Sequence, residues 1–142
     1  MICSLSGKGG VGKSTIALLL AQELLRAGAA VPVLLVDGDP LGSLHLMLDR
    51  PEPKTLATVR QQLQHVRAPA DAPDLATLLE DAGVIVRVSE QLHLLAMGRG
   101  EGPGCYCAVN VALSAALVGD GAIPGLLKRY PVVVIDCEAG AE

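Results

Sequence analysis

Residues 7–15, GKGGVGKST, constrain this 142-residue chain more than any other stretch. They follow a short apolar run, MICSLS (1–6), and open a segment with helical periodicity, KSTIALLLAQELLRAG (13–28). A strand, a glycine-rich turn and a helix form the setting in which G-x-x-x-x-G-K-[ST] carries chemistry, and Gly7, Gly12, Lys13 and Ser14 fill that pattern. Glycines let successive backbone N–H groups wrap phosphate oxygens, and the helix N-terminus adds its dipole. Gly7, Gly9, Gly10, Val11 and Gly12 would form the cradle. Lys13 would reach the β- and γ-phosphates, Ser14 would bind Mg²⁺, and Thr15 would donate to the α-phosphate. The expected ligands are ATP or ADP with Mg²⁺; the alternative is a glycine-rich turn without function.

The rest of the chain supports an α/β fold. Hydrophobic residues make up 51%, with no Trp, no Phe and two Tyr. The core must then be aliphatic, which suits a parallel sheet buried on both faces. AVPVLLVDGDP (30–40), LHLLAMG (92–98) and PVVVID (131–136) read as further strands. PKTLATVRQQLQHV (53–66), LATLLEDAG (75–83) and AVNVALSAALVG (108–119) read as helices, with another helical turn or two in AIPGLLKRY (122–130). Strands alternating with helices predict a mostly parallel sheet flanked by helices, a single P-loop nucleotide-binding domain over 1–142. Eleven Lys and Arg against fifteen Asp and Glu give a net charge of -4, which argues against a nucleic-acid partner. No apolar run approaches the ~20 residues of a membrane span, and no basic leader precedes ICSLS. A soluble, cytoplasmic protein without a membrane partner is expected.

Lys8 is the informative addition to the motif. KGGVGKST resembles the deviant P-loop ATPases, the group of MinD, ParA, the arsenite-pump ATPase and the nitrogenase iron protein. That resemblance implies a nucleotide-sandwich homodimer in which Lys8 reaches the partner's γ-phosphate, a catalytic role that an extra cation suits; the alternative is a solvated surface lysine. In VDGDP, the resemblance assigns Asp39 to orienting the attacking water and Asp37 to the switch region near Mg²⁺, unless either caps a turn. VVVIDCEAG (132–140) resembles a Walker B strand and second switch. Asp136 would then hold a Mg²⁺-bound water, and the Gly140 N–H would meet the γ-phosphate.

GPGCYC (102–107) places Cys105 and Cys107 in a glycine-rich loop just ahead of a helix. A helix N-terminus favours thiolates, and soft thiolates suit Zn²⁺, Ni²⁺ or Cu⁺. Two sulfurs do not complete a four-coordinate site, but a two-fold dimer would supply four around one ion. The alternatives are a reversible disulfide or two buried small apolar side chains. Cys3 and Cys137 fall inside apparent strands and are expected in the core. His93 is expected in a strand, and His45 and His65 on the surface.

A deviant P-loop, LLAMG, a glycine-rich loop, C-x-C, the VNVALSAAL helix and DCEAG together resemble the CooC-type accessory ATPases over nearly the whole chain. That resemblance implies an ATP-hydrolysing metallochaperone that carries Ni²⁺ or Zn²⁺ at a dimer-shared four-thiolate site. Its client would be a nickel enzyme of the carbon monoxide dehydrogenase or acetyl-CoA synthase type. It further implies that residues 1–142 are the N-terminal part of a longer family domain. The competing functions are a non-hydrolysing nucleotide- or metal-binding module and a MinD/ParA-like positioning ATPase.

Overall fold

The computed structural model describes residues 1–40, 42–63, 74–99, 105–119 and 125–139. Five strands form one sheet: β1 (Ile2–Gly7), β2 (Val33–Asp37), β3 (Ile85–Arg87), β4 (Leu92–Ala96) and β5 (Val132–Ala139), in the order β1-β5-β2-β4-β3. The β1–β5, β5–β2 and β2–β4 pairs are parallel, and β3 closes the other edge antiparallel to β4. The helices are α1 (Lys13–Arg26), α2 (Leu44–Met47), α3 (Leu56–Leu63), α4 (Leu75–Asp81) and α5 (Cys105–Val118).

β2 and β4 are buried at all five positions, as strands covered on both faces must be. Their alternation divides the core in two. Val33, Leu35, Leu92, Leu94, Val132 and Val134 pack against Ala17, Leu18 and Ala21 of α1 and Leu44 of α2. Leu34, Val36, Leu95 and Val133 face the opposite cluster, which includes Leu56 of α3, Leu79 of α4 and Leu113 of α5. The period-2 rule places Asp37 and Asp136, which continue the first set, on the α1 face.

Most expected elements are present with shifted ends. α1 stops at Arg26 because the Gly28 N–H bonds to the Leu25 carbonyl and the Ala29 N–H to the Leu24 carbonyl. Gly28 takes φ 79° to allow this, a Schellman cap. β2 begins after Pro32, at Val33. α3 begins at Leu56 rather than Pro53, because the Thr55 side chain accepts from the Thr58 N–H and starts the helix there. The 122–130 segment contributes one 3-10 turn, Leu126–Lys128. β3 was not anticipated. Cys3 and Cys137 lie in strands as expected but are half-buried rather than core. The 99–107 stretch is not loop throughout: α5 starts at Cys105, so Cys105 and Cys107 occupy its first turn. The glycines of GPG end at Gly104, and CYC contains no helix breaker, so the helix extends back to the last glycine.

Candidate functional site

The carboxyl ends of β1, β5 and β2 meet at one edge of the sheet, where open α/β folds bind ligands. β1 pairs in register with β5 up to Leu5 opposite Asp136, then shifts so that Gly7 stands opposite Ala139. The chain thus lifts off the sheet as the P-loop begins. Gly10 and Gly12 take φ 78° and 85°, and a Cβ at either would meet nothing within 4 Å. The turn needs the left-handed backbone, not the space. Gly12 is also the N-cap of α1, so the loop delivers Lys13 and Ser14 directly into the first helical turn.

Lys13 Nζ donates to the Gly7 carbonyl at 3.1 Å and to the Lys8 carbonyl at 3.2 Å. Its ammonium is thereby held against the loop's own backbone. Lys8, Gly9, Gly10, Val11, Gly12 and Thr15 are exposed, while Gly7, Lys13 and Ser14 are half-buried.

Two carboxylates stand directly opposite each other in the β2–β5 register, Asp37 and Asp136. Asp136 is 1% exposed. Both of its carboxylate oxygens are buried without a hydrogen-bond partner, alone in this among the side-chain atoms of the described residues. Burial pushes its pKa up, Ser14 and Lys13 nearby act against that, and Asp39 adds repulsion. A buried carboxylate without a partner is costly. It becomes favourable when a cation meets it, and the hard oxygen donors of Asp136 and Ser14 suit Mg²⁺. Asp37 is also buried, at 2%, but it is engaged. Its Oδ2 accepts from the Leu44 N–H at 2.9 Å and its Oδ1 from the Asp39 N–H at 3.3 Å. Burial raises its pKa, the Leu44 and Asp39 amides oppose the rise, and the charge of Asp136 adds to it. Asp39 is half-exposed at the mouth of the site.

The structure thus brings Lys8, Lys13, Ser14, Asp37, Asp39 and Asp136 to one edge. Gly140 lies outside the described residues, as do the side chains of Cys105 and Cys107. Among the described residues, no three His, Cys, Asp or Glu are grouped to hold a metal ion. Two contributors were not read from the sequence. The Gly38 N–H donates to the Asp136 carbonyl at 2.8 Å, and a Cβ on Gly38 would stand 2.6 Å from that oxygen. The Leu44 amide is the second. A glycine between two strand-end acids was the visible signal for the first; nothing in the sequence marks the second.

A separate polar cluster lies at the other end of the sheet, where β4 and β5 begin. His93 Nδ1 is 2.8 Å from the Tyr130 hydroxyl, which lies 3.3 Å from Glu80 Oε1. Arg129 reaches Glu80 Oε1 at 3.0 Å, and Arg87 reaches Oε2 at 2.7 Å.

A glycine-rich loop capping a helix, with buried acids on β5 and at the end of β2, defines a P-loop nucleotide-binding domain. The chain belongs to the ParA family of P-loop NTPases: a family profile described as "ParA: NUBPL iron-transfer P-loop NTPase" matches residues 1–89. Two uncharacterized ATP-binding proteins of Methanocaldococcus jannaschii are 38% and 32% identical to the whole chain. The chain spans 54% and 59% of their lengths. The BceF tyrosine kinase domain superposes with TM-score 0.63 at 26% identity, over 97% of this chain and 47% of that one. A ParA family ATPase from Chlorobium tepidum gives 0.62 at 20% identity, over 99% and 52%. Cobyrinic acid a,c-diamide synthase from Mycobacterium smegmatis, with a bound ATP analog and magnesium, gives 0.53 at 25% identity, over 96% and 50%. No described helix is long and apolar enough to cross a membrane.

Proposed function

We propose that this chain binds and hydrolyses ATP, and that a two-fold dimer couples that cycle to delivery of a metal ion. The observation that carries the nucleotide half is the buried Asp136 carboxylate, without a hydrogen bond of ordinary geometry and with Ser14 and Lys13 beside it, behind the loop that presents those two residues. Ser14 and Asp136 would hold Mg²⁺, with Asp37 beside them. Once bound, the ion would supply neutralisation of the charge on the nucleotide's phosphates.

The chain's own groups do the rest. Backbone N–H groups of Gly9 to Thr15 bind phosphate oxygens. Lys13 exchanges its two carbonyl acceptors for the β- and γ-phosphates. Asp39 accepts a hydrogen bond from the attacking water and holds it in line with the γ-phosphorus. Lys8, exposed on the loop, reaches the partner's γ-phosphate and offsets charge developing on the transferred group. The Gly140 N–H meets that group only in the triphosphate state, which lets the second switch report it.

The metal half rests on C-x-C at the start of α5 and on kinship with a profile named for iron transfer. Cys105 and Cys107 from two chains would bind one Ni²⁺ or Zn²⁺ as cargo through four sulfurs. The client would be a nickel enzyme of the carbon monoxide dehydrogenase or acetyl-CoA synthase type, in the cytoplasm. Membership of the ParA family also supports a second reading, a positioning ATPase without metal cargo.

Metal titration of the reduced full-length protein separates the two. Delivery predicts about one ion per two chains, lost in a Cys105→Ser, Cys107→Ser double variant. Stoichiometry that survives the double substitution, or no binding at all, leaves the positioning reading.

A further inference from the structure

Asp37 is tied to its surroundings through both its backbone and its carboxylate. The Met97 N–H donates to its carbonyl at 2.9 Å, which ties β2 to the exit of β4. On the other side the Gly38 N–H is bonded to β5, with no room for a side chain between the two strands. From this fixed post the carboxylate reaches into the loop that follows β2. It accepts from the amides of Leu44 and Asp39, and the Ser43 amide adds a weaker contribution. The loop closes through the Gly42 N–H on the Asp39 carbonyl at 3.0 Å. Gly42 takes φ 51°, and a Cβ there would stand 3.6 Å from Asp37 Oδ2. Leu44, the first residue of α2, is fully buried, while Leu46 and Met47 of α2 are 71% and 43% exposed.

We propose that Asp37 is a positioning residue: its carboxylate clamps Asp39 and the start of α2 to the sheet so that the two move as one unit. Bonds from backbone N–H to an ionised carboxylate are about twice as strong as neutral ones; the one from Leu44 is buried, and the longer one from Asp39 is part-buried. The clamp aims Asp39 from one side and gives α2, with its exposed Leu46 and Met47, a mechanical link to the phosphate edge. The catalytic consequence rests on the proposed hydrolysis; the clamp itself does not.

Asp37→Asn keeps the shape but turns one acceptor into an NH₂ donor facing an N–H. In the full-length protein, kcat is expected to fall about 10- to 100-fold, the cost of misplacing a catalytic group by a fraction of an ångström to an ångström. Because Asp37 also stands beside the magnesium position, Mg-nucleotide affinity is expected to fall as well, but by less than kcat does, the signature of an interaction made mainly in the transition state. Hydrogen exchange at the Leu44 and Asp39 amides should accelerate at least about tenfold as their acceptor weakens. Asp39→Ala should lose turnover while Leu44 exchange stays slow, so failure of the clamp and failure of the hydrolysis reading give different results. The unsubstituted protein supplies a readout that needs no variant: both amides exchange slowly if the clamp exists. Exchange there at open-loop rates overturns the proposal. So does an Asp37→Asn variant with unchanged exchange, or one that loses Mg-nucleotide affinity while keeping kcat.

Discussion

The two ends of the sheet treat buried charge in opposite ways. At the amino end, Glu80 is surrounded by Arg87, Arg129 and the Tyr130 hydroxyl, and His93 completes the chain of contacts. At the carboxyl end, Asp136 is more deeply buried, neither carboxylate oxygen is within hydrogen-bonding geometry of a described group, and only Ser14 and Lys13 nearby favour its charge. A satisfied buried network stabilises a fold; a half-satisfied one costs stability and persists where something else is to bind. Asp37, bonded to two amides, stands between these extremes. Under the proposed function, one end serves structure and the other chemistry, and substitutions at the two ends should therefore move stability and activity in different directions.

The largest effects are expected at the carboxyl end. Asp136→Asn should lower ATP turnover about 10²- to 10³-fold, the usual scale for removing one preorganised electrostatic group. The same substitution should leave thermal stability equal or higher, because it removes an uncompensated buried charge. A lower midpoint in Asp136→Asn would break the contrast. Asp39→Ala should reduce hydrolysis about 10²- to 10⁴-fold with ADP affinity kept, measured by phosphate release beside equilibrium nucleotide binding.

Smaller effects, confined to stability, are expected at the amino end. Tyr130→Phe deletes the hydroxyl between His93 and Glu80 and should cost about 1–3 kcal/mol in denaturant unfolding, the penalty of leaving the buried His93 Nδ1 without its hydrogen bond. ATP turnover in that variant should match the parent; a loss there would join the two ends functionally.

The smallest effect is a pH dependence of opposite sign at the two ends. Burial depresses the pKa of His93 below 6.5, with Arg87 and Arg129 adding to the fall and Glu80 opposing it. Below about pH 6.5 the unfolded chain then binds more protons than the folded one, so this contribution to stability shrinks as pH drops through that window. Asp136 is raised above 3.8, so its contribution is fully present below that value and is lost as pH rises through the folded-state pKa. His93→Gln should flatten the first slope and Asp136→Asn the second, in unfolding free energies collected from pH 4 to 8.

How much of this was legible in the sequence differs between the same two regions. The P-loop, the buried strands and the acids on β2 and β5 were readable because phosphate binding demands a fixed local spacing and buried parallel strands demand apolar runs. The amino-end cluster was not. Glu80, Arg87 and His93 come from three elements and Arg129 and Tyr130 from the segment before β5, and only the fold brings them together. β3 escaped because three residues, Ile85–Arg87, are too short to show alternation. The start of α5 is hidden in the sequence because its first turn, CYC, continues directly from a glycine-rich stretch. The amide contacts of Asp37 were invisible because backbone donors leave no mark in side-chain patterns.

The direct test of the central claim is thermal unfolding of the parent protein and Asp136→Asn with ATP, with and without Mg²⁺. If Asp136 stands ready for a cation, Mg-ATP at 100 times its Kd should stabilise the parent by about 2.7 kcal/mol, and the magnesium-dependent part of that gain should disappear in Asp136→Asn. Equal stabilisation by magnesium in both proteins, or none in the parent, would contradict it.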